Sequence, residues 1–140
     1  MNHKLLNKYL FLFDVGGLLY VMIELIWRSH SHWTMFILGG LCFIYLGLIN
    51  EVLPWEMTLW KQTLIGAVGI TILEFLTGCV VNLHFGWNIW DYSTMPGNIL
   101  GQICPQYFVL WLPVALAGII LDDWIRYWKF EAERPHYKLL

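Results

Sequence analysis

"YVMIELIWRSHSHW", residues 20–33, is the stretch on which the fold turns. An apolar run carries one carboxylate, Glu24. It then breaks into Arg28, His30 and His32 before a second apolar run begins. A short polar break between two long oily runs is how a chain leaves a bilayer and re-enters it. The reading depends on whether the remainder of the chain is oily enough to make lipid its solvent.

It is. Of 140 residues, 59% are hydrophobic and only 13% are charged, about half the charged share of a soluble domain. Nine Trp, eight Phe and seven Tyr add large apolar surfaces. A water-soluble domain of this length could not hide them, because small domains leave much of their area exposed. The net charge of −2 gives no reason to expect nucleic acid as a partner. Three cysteines, Cys42, Cys79 and Cys104, lie inside apolar runs at spacings that match no zinc motif. They read as small packing residues, with a Cys79–Cys104 disulfide as the alternative.

A helix needs about 20 apolar residues to cross the hydrocarbon core. Working outward from residues 20–33, four stretches qualify: about 9–27, 33–53, 59–83 and 98–121. Pro54 marks the end of the second. "HFGWNIWDYSTMPGN" (84–98) is a loop rich in turn residues. The first span is longer than a signal-peptide core, holds Asp14 and Glu24, and is followed by no A-x-A-like site. It reads as a retained helix. Residues 122–140 read as an interfacial amphipathic tail. The expected fold is therefore all-α, a polytopic single transmembrane domain of four helices. Seven of the eight Lys and Arg residues (all but Arg28) fall on one side of it, which places both termini in the cytoplasm.

An ionisable side chain in lipid faces the bundle interior or a wet cavity. At 100° per residue, Asp14, Gly17, Val21, Glu24 and Arg28 share an arc of about 80°, and Glu24 and Arg28 are four apart, the spacing of a helical ion pair. Ala67, Thr71, Glu74, Gly78 and Asn82 form a similar stripe on the third span, and Gly40, Gly47 and Glu51 one on the second. The chain also echoes itself: "GGLLYVMIEL" (16–25) carries Glu24 and "GAVGITILEF" (66–75) carries Glu74. Each acid is followed by a Trp and a Ser, and then by a returning glycine-bearing helix. The echo implies two similar helical hairpins, in parallel about an axis along the membrane normal.

This geometry gathers Glu24, Arg28, Glu74, Asn82, Trp90, Asp91, Tyr92, Ser93, Asn98 and Gln102 in the outer half of the bilayer, with His30 and His32 nearby. Asp14, Asn50 and Glu51 would form a smaller cytoplasmic cluster. Two carboxylates close together in low dielectric favour a shared proton or a bound cation. The outer cluster reads as a ligand pocket for a cationic or hydroxyl-rich group. The alternative is a polar lock, since interhelical hydrogen bonds of about 0.6–2 kcal/mol explain such residues without a ligand. His30-x-His32 is too weak a pair to assign a metal, and Asp91 also fits a turn or capping role. No cofactor motif is present. An E-x-x-x-R with histidines falls short of an intramembrane CAAX-type protease, and no Ser-His-Asp set, P-loop or G-x-G-x-x-G occurs, so no catalytic residue is assigned. A small multidrug transporter has a glutamate in its first helix, but near mid-span rather than toward one face.

"HWTMFILGGLCFIYLGLINE", "LEFLTGCVVNL", "WNIWDYS" and "NILGQICPQY" resemble the ABC transporter permease family of type IV, CmpB-like, small multi-pass bacterial membrane proteins. The resemblance covers about residues 16–137, with its motifs at Glu74, Gly78, Asn82, Trp90, Asp91, Tyr92, Ser93, Asn98, Gly101 and Gln102. Pro105 departs from an apolar residue common there, which bears on where the fourth helix starts. The resemblance implies a multi-pass protein of the bacterial cytoplasmic (inner) membrane and a role in transport; it brings no substrate or catalytic residues with it. The chain has no ATPase motif, so ATP-driven activity needs a separate ATPase subunit, and four helices are few for a pathway, which favours a homodimer. Membrane lipids are its surroundings. The other classes are a structural or regulatory membrane partner without its own ligand, and a lipid-modifying intramembrane enzyme. A periplasm-dependent reporter fused after Leu140 should be inactive, and one inserted in the 84–98 loop active; the reverse pattern would overturn the orientation.

Overall fold

A computed structural model describes residues 3–29, 31–52, 57–131 and 134–137. Among the described residues four α-helices make up the fold: α1 (His3–Arg28), α2 (Trp33–Val52), α3 (Leu59–Gly78) and α4 (Pro105–Phe130). A π-helical turn, Cys79–His84, prolongs α3. All four are long and apolar enough to cross a membrane, and the chain is a multi-pass membrane protein. The 26 residues of α1 make a rod of about 39 Å, longer than a hydrocarbon core. Pro54 and His30 lie outside the described residues.

The most extensive interfaces join α1 to α2 and α3 to α4, so the chain forms two hairpins, with α2 as the element that also packs on both helices of the second. In lipid no water-driven force brings helices together, and close backbone approach substitutes for it. Gly16 and Gly39 supply that approach. A Cβ on Gly39 would stand 2.8 Å from the Gly16 carbonyl oxygen, and one on Gly16 would stand 2.7 Å from that of Gly39. Phe13 and Phe36 flank the crossing, edge to face at 5.9 Å. The core around α2 is apolar: Leu38, Leu46 and Ile49 meet Ala67, Ile70, Ala115 and Ile119. Large apolar side chains facing outward, such as Leu18, Met22 and Trp128, are the surface that lipid would cover. The first part of α1 meets the end of α4, with Phe11 against Phe130 at 5.8 Å, so α1 begins and α4 ends at the same end of the bundle. The α1–α2 turn and the 85–104 loop stand at the other.

The fourth helix differs from expectation at both ends. It starts at Pro105 rather than near residue 98, and it runs to Phe130 rather than stopping near residue 121. Residues 98–104 are held in a tight hairpin instead. Leu100 and Gly101 both adopt positive φ, Ile99 bridges Ile103, and the Gln102 amide donates to the Ile99 carbonyl at 3.0 Å. Two successive left-handed residues make a turn that no helix can continue through. Pro105, which has no amide hydrogen to place, then fits the first helical turn. At the far end, residues 122–130 of the expected interfacial tail are the last turns of α4. The three cysteines are free thiols, which removes the Cys79–Cys104 disulfide.

Replacing Gly39 with Val should cost about 1–3 kcal/mol through overpacking at the crossing, read as a lower melting temperature of the detergent-solubilised protein. Leu41→Val, on the exposed face of the same helix, should leave it nearly unchanged.

Candidate functional site

Glu74 is the most deeply placed acid at the loop end of the bundle, 3% exposed. It sits on the α3 face that Ala67 and Gly78 also occupy, as the stripe predicts. Both of its oxygens receive hydrogen bonds: Trp111 Nε1 on α4 donates to Oε1 at 3.2 Å and the Tyr92 hydroxyl donates to Oε2 at 3.1 Å. Burial, and then the Glu74 carboxylate beside it, push the Tyr92 phenol well above its ordinary pKa, so Tyr92 remains a donor.

Tyr92 belongs to a loop that folds back over the bundle as a cap. Asn82, in the π-helical turn, receives the Ile89 amide at 2.6 Å and donates to Gln102 Oε1 at 2.8 Å. The Trp90 indole donates to the Gln102 carbonyl at 3.0 Å, and the Tyr92 amide to the Gly101 carbonyl at 2.7 Å. Asn98 closes the hairpin, donating to the Met95 carbonyl at 2.8 Å and receiving the Gly101 amide at 2.9 Å. Gly78 makes room for the cap, since a Cβ there would stand 2.5 Å from Gln102 Oε1. Asn82, Trp90, Asn98 and Gln102 are thereby taken up in holding the loop. Asp91 and Ser93 are exposed: Asp91 receives the Ser93 amide at 2.8 Å, a bond that holds its carboxyl below the usual carboxylate range. Asp91 thus takes the turn role rather than pointing into the bundle.

Glu24 and Arg28 form the predicted ion pair at 3.2 Å, and Arg28 Nη2 donates to the Ile89 carbonyl of the cap at 2.8 Å. Together they floor a cleft of about 230 Å³ that also involves Ser31, His32, Met35, Trp87, Asn88 and Ile89. Glu24 and Glu74 are near enough to interact electrostatically. A shallower, wider cleft runs from Arg28 past Asp91 to Tyr107. His32 Nδ1 stands 2.8 Å from the Thr34 hydroxyl and accepts the Thr34 amide at 3.2 Å, so it caps the start of α2. Among the described residues no group of three or more His, Cys, Asp or Glu side chains could hold a metal ion.

The opposite end carries a second polar cluster that differs from the one expected. Asp14 does not join it; that residue is exposed on α1. The stripe through Glu24 is offset from the buried face of α1, which centres nearer Gly16 and Tyr20, so its far edge at Asp14 turns outward. Asn50 instead donates to Asp123 of α4. The side chain of Glu51 lies outside the described residues. Asp122, Asp123 and Arg126 are all at least 96% buried. Arg126 pairs with Asp122 at 2.8 Å and also with Asp123. Tyr137 folds back to donate to Asp123 at 3.0 Å, and burial, with that carboxylate, keeps its phenol protonated. Gly47 is the gap that admits Asp122, whose carboxylate a Cβ there would strike. The spacing of Asp122 and Asp123 to Arg126, four and three residues, was the signal in the sequence for this cluster.

Four lipid-length helices under a polar cap define the class, a polytopic α-helical membrane protein. The family model described as "Putative ABC-transporter type IV" matches residues 9–133, and the chain belongs to that family. Comparison with curated proteins and with solved structures finds no match.

Arg126→Met leaves two buried carboxylates without their cation and should cost about 3–5 kcal/mol, seen as a large fall in melting temperature. Lys61→Met, at an exposed position of α3, should change it little.

Proposed function

We propose that the chain is the membrane-embedded component of a transporter, and that its ligand cleft is the Glu24–Arg28 floor at the loop end, facing away from the cytoplasm in the bacterial cytoplasmic membrane. The observation that carries this reading is the ion pair itself. A carboxylate and a guanidinium line an open cleft at the end of an apolar helix, and a cationic or hydroxyl-rich group can replace Arg28 on Glu24. Trp87, Asn88 and Ile89 from the cap supply an aromatic and polar rim. Glu74 stands behind as a second carboxylate, and the cap that covers it is the element that must shift for a ligand to reach it. Trp90, Asp91 and Tyr92 border the shallower cleft beside Arg28.

ATP-driven transport requires a separate ATPase subunit, because the chain carries no nucleotide-binding motif. A second copy of the chain is the natural cover for Asp14, an exposed carboxylate near the middle of α1 whose contact with lipid would cost about 2.5–3.5 kcal/mol on insertion scales.

The second reading is a structural or regulatory partner whose polar residues only lock helices together. The saturated bonding of Glu74, Asn82 and Gln102 favours it. Glutamine replacements separate the two. Glu74→Gln puts an amide NH₂ against one of two donors and should cost about 1–3 kcal/mol under either reading. Glu24→Gln, which keeps an acceptor for Arg28 but removes the charge of a buried side chain, should cost no more than about 1–3 kcal/mol and abolish retention of small molecules that co-purify from native membranes, as identified by mass spectrometry. A stoichiometric ATPase in the same preparation is expected. A Glu24→Gln protein that melts early and retains the same small molecules would establish the lock.

A further inference from the structure

α1 packs along α2 and meets α4 at two aromatic pairs. Phe11 stands against Phe130 near the terminal end, at 5.8 Å, and Tyr20 against Trp111 nearer the loop end, at 5.9 Å. Between the two pairs α1 rises by about 13.5 Å, from Phe11 to Tyr20, and α4 by about 28.5 Å, from Trp111 to Phe130. Along this gap lies a chamber of about 370 Å³. Leu46, Ile70 and Cys42 on its inner wall are buried, whereas Ile23, Ala117 and Leu121 on its rim are exposed. The chamber therefore opens sideways, between α1 and α4, at the depth of the hydrocarbon. Polar side-chain atoms on its wall belong to Tyr20, Cys42 and Trp111.

The walls decide the occupant. Water needs two to four polar partners and finds too few here. A partner helix is at least about 10 Å across, and the two ring pairs bar such a rod from lying along the gap. A hydrocarbon chain is slender, reaches the opening directly from the bilayer, and restores the dispersion contacts that a void forfeits. Lipid tails gain nothing over the bilayer from water exclusion, so selectivity must come from a head group. The polar cleft supplies one: Tyr20 lines the chamber, and Glu24, one helical turn further on the same side of α1, lines the cleft. We infer that the chamber between α1 and α4 seats the hydrocarbon chain of a bilayer amphiphile whose cationic head group occupies the Glu24–Arg28 cleft. The seat for the chain stands on its own; the placement of the head group rests on the function proposed above. Trp111 borders the chamber at its loop end, where its ring meets that of Tyr20, and its indole nitrogen bonds Glu74, which stands behind the cleft.

The test uses the whole chain in phosphatidylcholine vesicles doped with a long-chain alkylamine carrying a mid-chain diazirine, and in parallel with the matching fatty acid. After irradiation, digestion and mass spectrometry, the alkylamine should label Cys42, Leu46 or Val114 as well as the outward Leu18 and Met22. Plain alkylamine at about ten times its half-saturating level should suppress the inner labels about tenfold and leave Leu18 and Met22 labelled as before. Ala117→Trp, which fills the opening from its rim, should do the same without competitor. Inner residues that stay unlabelled, or labels that neither competitor nor Ala117→Trp reduces, would overturn the chamber. Glu24→Gln should bring alkylamine labelling down to the fatty-acid level. Equal labelling by both probes in the wild-type protein would overturn the head-group placement and the cleft reading with it, while saturable inner labels would still uphold the seat for the chain.

Discussion

A carboxylate on an apolar helix must be covered by donors that the protein itself provides, and Glu74 is where this protein meets that constraint. The donors come from different parts of the chain, an indole on α4 and a phenol from the loop. Their convergence fixes how the second hairpin closes and where the loop lies. Once Tyr92 is committed to Glu74, the rest of the cap follows: Asn82 takes the Ile89 amide, Gln102 takes Asn82, and Trp90 reaches back to the Gln102 carbonyl. The π-helical turn at Cys79–His84 sits under this network and carries Asn82.

The bundle divides into two polar ends and an apolar waist. At the loop end the charges are arranged around an opening. At the terminal end they are sealed: Arg126 is shared between two carboxylates, and Tyr137 and Asn50 complete Asp123. A sealed charge cluster is the arrangement expected of a fixed element, since a buried pair is costly to separate. An open pair at the floor of a cleft can exchange partners. The waist is held by glycine contacts between α1 and α2, whereas α1 and α4 stand apart between two ring pairs. The same helix is thus tightly packed on one side and open on another.

The sequence was most legible where a single helix carries the whole signal. Length and hydropathy place the four spans, and the four-residue spacing of Glu24 and Arg28 gives an ion pair that needs no third element. The family follows from short motifs in the third span, the loop and the hairpin that follows it. Legibility failed where polarity had two readings. Asp122, Asp123 and Arg126 have the look of an interfacial tail because hydropathy registers that residues are polar, not whether a partner faces them. They are buried because Gly47 and Asn50 on α2 receive them. Asp14 failed in the opposite sense: a stripe drawn through polar residues shows that they share a face, but which side of that face is covered depends on where α2 crosses.

The sequence by itself determined the solvent, the number of helices and the acids that need covering, because each of these is a property of composition and local period. Only the tertiary structure decided that residues 98–104 form a hairpin rather than helix, since backbone bonds between Ile99 and Ile103 and the side chain of Asn98 hold it. Only the tertiary structure decided which loop residues bond Glu74, which face of α1 is left open, and how an apolar chamber comes to lie one turn along α1 from a polar cleft. Those outcomes depend on close approach between helices distant in sequence, set by glycines and aromatic rings whose partners no local pattern names.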